Sequence, residues 1–71
     1  MNLYRLKSNT GTIVKRVGKQ FHRVVWSSSM KYGYNCRWMI GHWLPDNVIP
    51  LNKEEMKELR KEMRVYGHDL K

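Results

Sequence analysis

Residues 51–56 read Leu-Asn-Lys-Glu-Glu-Met, and no other stretch of the chain limits its fold as tightly. Asn52 is a good helix N-cap. Glu55, three residues on, can reach back to close a capping box, and Leu51 and Met56 stand at the spacing of a hydrophobic staple. Glu54 and Glu55 also suit the positive end of a helix dipole. Met56, Leu59, Met63 and Tyr66 then recur at intervals of three, four and three, which makes a narrow apolar stripe. Gly67 is a natural C-terminal stop. The spacing predicts a helix over 52–66 and a short tail over 67–71. A helix of this length is marginal alone in water. It must lay its stripe on something, and residues 1–51 have to supply that surface.

Those residues read as strands and turns. Asn2 to Lys7 alternates, with Tyr4 and Leu6 on one face and Leu3 and Arg5 on the other. Ser8-Asn9-Thr10-Gly11 is a turn cluster, with Gly11 free to take positive φ. Thr12 to Val17 is a second strand, and Gly18-Lys19-Gln20 a connection of hairpin length. Phe21 to Trp26 is rich in aromatic and β-branched residues and is the strongest strand. Ser27-Ser28-Ser29 breaks it. A turn follows near Gly33, and Asn35 to Trp43 reads as the last long strand. On that reading Cys36, Trp38 and Ile40 share a buried face, Arg37 and Met39 point away, and Tyr32 and Tyr34 sit near an exposed hairpin tip. Trp26 and Trp38 are expected in the core. The fold class is therefore α+β: a small bent antiparallel sheet, or barrel, of four or five strands with one C-terminal amphipathic helix. All 71 residues make one domain, with 1–51 as a basic sheet or barrel.

Charge is divided sharply. From Met1 to Pro45 there are eight Lys and Arg and no Asp or Glu, whereas from Asp46 onward six basic residues face six acidic ones. Solvated surfaces normally mix both signs. Forty-five residues without a carboxylate point to a polyanionic partner, attracted by the field and by counterion release. Along the helix, Lys53, Lys57, Lys61 and Arg64 run beside Glu54, Glu58 and Glu62, two stripes expected to pair and cancel.

Other chemistry is sparse. Cys36 is the single cysteine, so no internal disulfide can form and a reducing cytoplasm fits best. Cys36, His22, His42 and His68 match no metal-ligand spacing. No carboxylate pair, nucleophile motif or phosphate loop is present, so neither an enzyme nor a cofactor is expected. No apolar run approaches the roughly 20 residues that span a bilayer. The chain opens with Met1 and lacks a charged-then-apolar leader, which reads as a complete soluble product.

Residues 41–51, Gly-His-Trp-Leu-Pro-Asp-Asn-Val-Ile-Pro-Leu, resemble the end of an SH3 domain, where a strand runs into a short turn and a last strand. Pro45 and Asn47 match that frame. The resemblance spans about residues 11–51 and implies an SH3-like barrel, the fold group that includes Tudor-type and integrase-tail DNA-binding barrels. Three departures speak against the proline-peptide binding of true SH3 domains. The frame's Tyr is Val48 here, no acidic first loop exists, and the aromatic segment near the start is missing.

The leading functional expectation is nucleic-acid binding, to RNA or DNA. Lys15, Arg16, Lys19, Arg23, Lys31 and Arg37 would contact phosphates, and Tyr32, Tyr34 and Trp43 would stack on bases. The alternative is a protein-interaction module, such as a virus-encoded modulator that occupies an acidic surface of a host polymerase or nuclease. Met30, Tyr32, Tyr34 and Trp43 would then be its anchors.

Overall fold

The computed structural model describes residues 3–68. Asn2, assigned above to the first strand, and residues 69–71 of the expected tail lie outside the described residues. Five strands form one antiparallel sheet: β1 (Leu3–Leu6), β2 (Ile13–Gly18), β3 (Phe21–Trp26), β4 (Ile40–His42) and β5 (Val48–Pro50), in the order β4-β3-β2-β1-β5. One helix follows, α1 (Lys53–Val65). The turn and last strand implied by the SH3-like ending are present as a 3-10 turn over Pro45–Asn47 leading into β5, which returns to pair with β1. The sheet does not close into a barrel. β4 and β5 are its two opposite edges.

Local chemistry accounts for most of the elements. Between β1 and β2, the Asn9 side chain accepts a hydrogen bond from the Gly11 amide at 3.2 Å. The Thr12 amide donates to the Asn9 carbonyl at 3.0 Å. This Asx geometry closes the turn without a positive φ at Gly11. Between β2 and β3 the left-handed residue is Gln20, at φ 62°, and Gly18 stays in the strand opposite Phe21. At α1 the capping box is complete: Asn52 Oδ1 accepts from the Glu55 amide at 2.8 Å, and Glu55 Oε1 accepts from the Asn52 amide at 3.3 Å. The other end closes as a Schellman motif. The His68 amide reaches the Met63 carbonyl at 2.8 Å, the Gly67 amide reaches Arg64 at 3.1 Å, and Gly67 takes φ 79°.

The predicted strand over Asn35–Trp43 is corrected to three residues. A 3-10 helix spans Ser28–Tyr32 and ends at Gly33, φ 94°. Asn35 Oδ1 then accepts from the Arg37 amide at 3.0 Å, and the Met39 amide closes a turn onto Cys36 at 3.0 Å. Side-chain competition of this kind removes residues from a ladder, so bonding to β3 begins only at the Met39 carbonyl, which accepts from the Val24 amide at 2.9 Å, and residue pairing at Ile40. Trp38, expected in the core, lies on this turn and is 76% exposed. The alternation that placed it inside presumes an extended chain that does not exist there.

The sheet is buried on both faces. Toward α1 lie Leu3, Ile13, Trp26, Met30, Leu51, Leu59 and Met63, with Met56 partly buried against them. On the other face Leu6, Val14 and Val24 pack with Tyr4, Trp43 and Val48. Half-buried Cys36 touches both clusters. The faces of β1 follow the expected alternation. Trp26 Nε1 donates to Glu62 Oε1 at 3.3 Å, and Lys31 pairs with the same carboxylate at 2.8 Å. Those two partners, Lys31 first, hold Glu62 below the usual carboxylate range against the opposing effect of burial. Glu55 pairs with Arg5. Two of the helix acids, Glu55 and Glu62, thus bind the sheet side. Among the described residues, no ion pair joins the two stripes expected to cancel along α1.

Met63 is fully buried under the sheet. Met63→Ala is expected to destabilise the fold by about 2–5 kcal/mol, read as a lower urea midpoint with an unchanged slope. An unaltered midpoint would mean that α1 is not docked through this stripe.

Candidate nucleic-acid interface

Register decides where the basic side chains go. Ile13 pairs with Trp26 on the face that α1 covers. A bulge then brings Val14 opposite Val24 on the other face. The next pair, Lys15 opposite Arg23, therefore returns to the helix face, but beyond the reach of the helix, and both side chains are exposed. Ile40 continues the row on β4. One step further out, Phe21 pairs with His42, their rings 5.0 Å apart at 59°. Phe21 is half exposed. Lys19 stands in the turn at the end of the hairpin. The result is an exposed strip with two cations in register and two rings beside them.

The opposite face carries Arg16, directly across from His22, and Gly41 continues that row on β4. The ring of Trp43 lies over Gly41 so closely that a Cβ there would overlap the indole. Tyr4, Arg16, Gln20, His22, Trp43, Pro45, Val48 and Pro50 enclose a cavity of about 240 Å³. His22 is 3% exposed and stands edge-on to Tyr4, at 5.5 Å and 84°, and to Trp43, at 6.0 Å and 67°. Gln20 ties the faces together. Its side chain bonds His42 Nε2 at 2.9 Å, and its carbonyl accepts the Trp43 amide at 2.9 Å.

The remaining site residues from the sequence lie elsewhere. Lys31 sits at the start of the 28–39 segment, paired with Glu62 and 5.8 Å from the Tyr66 ring centroid. Hydrogen bonding to Glu62, then its charge, raises the Lys31 pKa. Arg37 is half-buried in the turn before β4. Tyr32 and Tyr34 are 82% and 69% exposed, near the end of the 3-10 helix and not at a hairpin tip. Of the nine residues chosen from sequence, Lys15, Arg16, Lys19, Arg23 and Trp43 thus belong to the β2–β3 end of the sheet, and the other four to the 28–39 segment. Sequence reasoning missed Phe21, His42, Tyr4 and His22. For Phe21 a signal existed, since period two along β3 puts it on the face of Arg23. For Tyr4 and His22 none did, because only strand pairing brings them together.

The chain matches no protein-family model, no curated protein and no solved structure. Among the described residues no helix is long and apolar enough to cross a membrane.

Burial lowers the pKa of His22 from the ordinary 6.5. The Gln20 carbonyl opposes that shift, while Arg16 and His42 add to it. The unfolded chain therefore takes up this proton at higher pH than the folded one, and stability falls as pH drops from about 6.5 through the folded value. Urea midpoints at about pH 7.5 and pH 5 should show this loss in the parent protein and a shallower one in His22→Phe. Equal slopes in both would remove His22 as the source.

Proposed function

We propose that the protein binds nucleic acid through the β2–β3 end of its sheet, by phosphate contacts and aromatic stacking more than by base readout. The observation that carries this reading is the Lys15–Arg23 pair. Like charges directly opposite across two strands cost stability. Neither side chain has an ion-pair partner among the described residues. A polyanion laid over them turns that repulsion into attraction. Lys19 and Arg16 extend the charge round the hairpin, and Phe21 and His42 offer ring faces beside it. Two acids of the helix, Glu55 and Glu62, are engaged elsewhere, by Arg5 and Lys31.

A second reading, docking onto an acidic surface of a larger protein such as a polymerase or nuclease, is favoured by one observation. Trp38, Met39 and Leu44, which flank the edge strand β4, expose large apolar surface, as do Tyr32 and Tyr34 of the expected anchors, whereas Met30 is buried in the core and Trp43 half-buried. Aromatic and Met side chains of this kind are enriched at interfaces.

The test is fluorescence anisotropy with a labelled single strand between about 50 and 200 mM salt. Four phosphate contacts predict a log–log salt slope of about −3. The double variant Lys15→Gln/Arg23→Gln should roughly halve it. No binding by micromolar protein at the lowest salt would defeat the reading. An unchanged slope in the double variant would move the interface off this face.

A further inference from the structure

We propose that the cavity between Tyr4, His22 and Trp43 receives one unstacked nucleobase of a bound single strand, with Arg16 at its rim against the adjoining phosphate. This rests on the nucleic-acid reading above and gives it a defined contact. The cavity is graded in depth. Buried His22 forms the floor, half-buried Tyr4 and Trp43 the walls, and exposed Pro45 and Pro50 the mouth. Its volume of about 240 Å³ is below the ~300–1,000 Å³ of sites that enclose larger ligands, which suits a single ring system.

The lining selects the chemistry of the guest. Three aromatic rings would also suit an organic cation, but Arg16 is the one charged residue of the lining and no carboxylate belongs to it. The guest is therefore flat, apolar on its faces and attached to negative charge. A base on a phosphodiester strand has all three properties. Burial keeps His22 uncharged near neutral pH, so the floor offers a neutral ring and adds no second cation beside Arg16.

The route is also short. Phe21, His42, Lys15 and Arg23 lie on one face of the sheet and the cavity on the other, but the hairpin end separates them by a single turn. Gln20 lines the cavity and bonds His42 on the far side. A strand held by Lys15 and Arg23 can pass over Lys19 and turn a base in beside Trp43. The backbone at this crossing is held in a costly shape, since Gln20 occupies the left-handed region at φ 62°. Strain of this kind concentrates at ligand sites. Gly41 completes the arrangement, because only a residue without a side chain leaves room for the indole wall.

The experiment compares an intact single strand with an abasic strand of the same length, followed by backbone and Trp side-chain amide shifts in NMR. The intact strand should bind about tenfold more tightly and should shift Trp43 and His22 together with Lys15 and Arg23. The abasic strand should still shift Lys15 and Arg23 but leave Trp43 and His22 unmoved. Gly41→Ala, which displaces the indole while leaving every charge in place, should remove the Trp43 and His22 shifts and reduce the preference but keep the salt slope. Its fold is checked by the dispersion of the same spectra. Equal affinity for both strands, with Trp43 and His22 unmoved and Lys15 and Arg23 shifted, would overturn the base pocket while leaving the phosphate interface standing. Failure of both strands to bind would remove the interface itself. Shifts at Trp43 and His22 produced by a proline-rich peptide but not by the intact strand would overturn the proposal in favour of peptide binding.

Discussion

Ile13 and Val14 are adjacent, both buried, and face opposite sides of the same sheet. That double burial is the constraint from which the rest of the molecule follows. A small chain cannot afford two independent coverings. One face is covered by α1 through Leu59 and Met63, and the other by the sheet's own bending, as β1 and β3 bring Leu6, Tyr4 and Val24 against Val14. Bulges at Ile13/Val14 and Arg16/Gly18 supply extra twist where the sheet needs it. Because α1 is short, its cover stops near Trp26 and Ile13. The outer half of the hairpin is left bare on the helix face and only partly filled on the other.

The uncovered end is where the charge collects. Arg5 and Lys31, close to the helix, are neutralised by Glu55 and Glu62. Lys15, Arg16, Lys19 and Arg23 lie past the helix and meet no carboxylate among the described residues. Four of the eight cations that precede Asp46 thus gather at one end of the sheet, while Arg5, Lys7, Lys31 and Arg37 lie elsewhere. The same geometry leaves the cavity beside Trp43 open, since nothing from α1 reaches that face.

Much of the fold was legible because its signals act over a few residues. Phe21–Trp26 is a strand with the predicted bounds, Asn52 caps α1 as the Leu51–Met56 sequence implied, and Pro45-Asp46-Asn47 turns into a last strand. Trp26 is core for the reason expected, a large side chain on the best strand of a chain with little interior. Trp38 failed under the same rule. Apolar character in a loop closed by Asn35 and Cys36 looks, in one dimension, like strand alternation. Of the candidate site, the cations were readable as a set, whereas Lys31 was drawn off by Glu62, a residue 31 positions away.

The sequence by itself determined the helix and its caps, the β2–β3 hairpin, and the concentration of unopposed positive charge before Asp46. Each of these rests on hydrogen bonds, side-chain periodicity or composition within a short stretch. Tertiary structure alone decided which cations remain available, that Lys15 and Arg23 stand side by side, and that Tyr4, His22 and Trp43 enclose one cavity. Those outcomes depend on strand register, and a shift of one residue exchanges the two faces of a strand. Register is set by the simultaneous packing of both faces, an energy that no single segment carries.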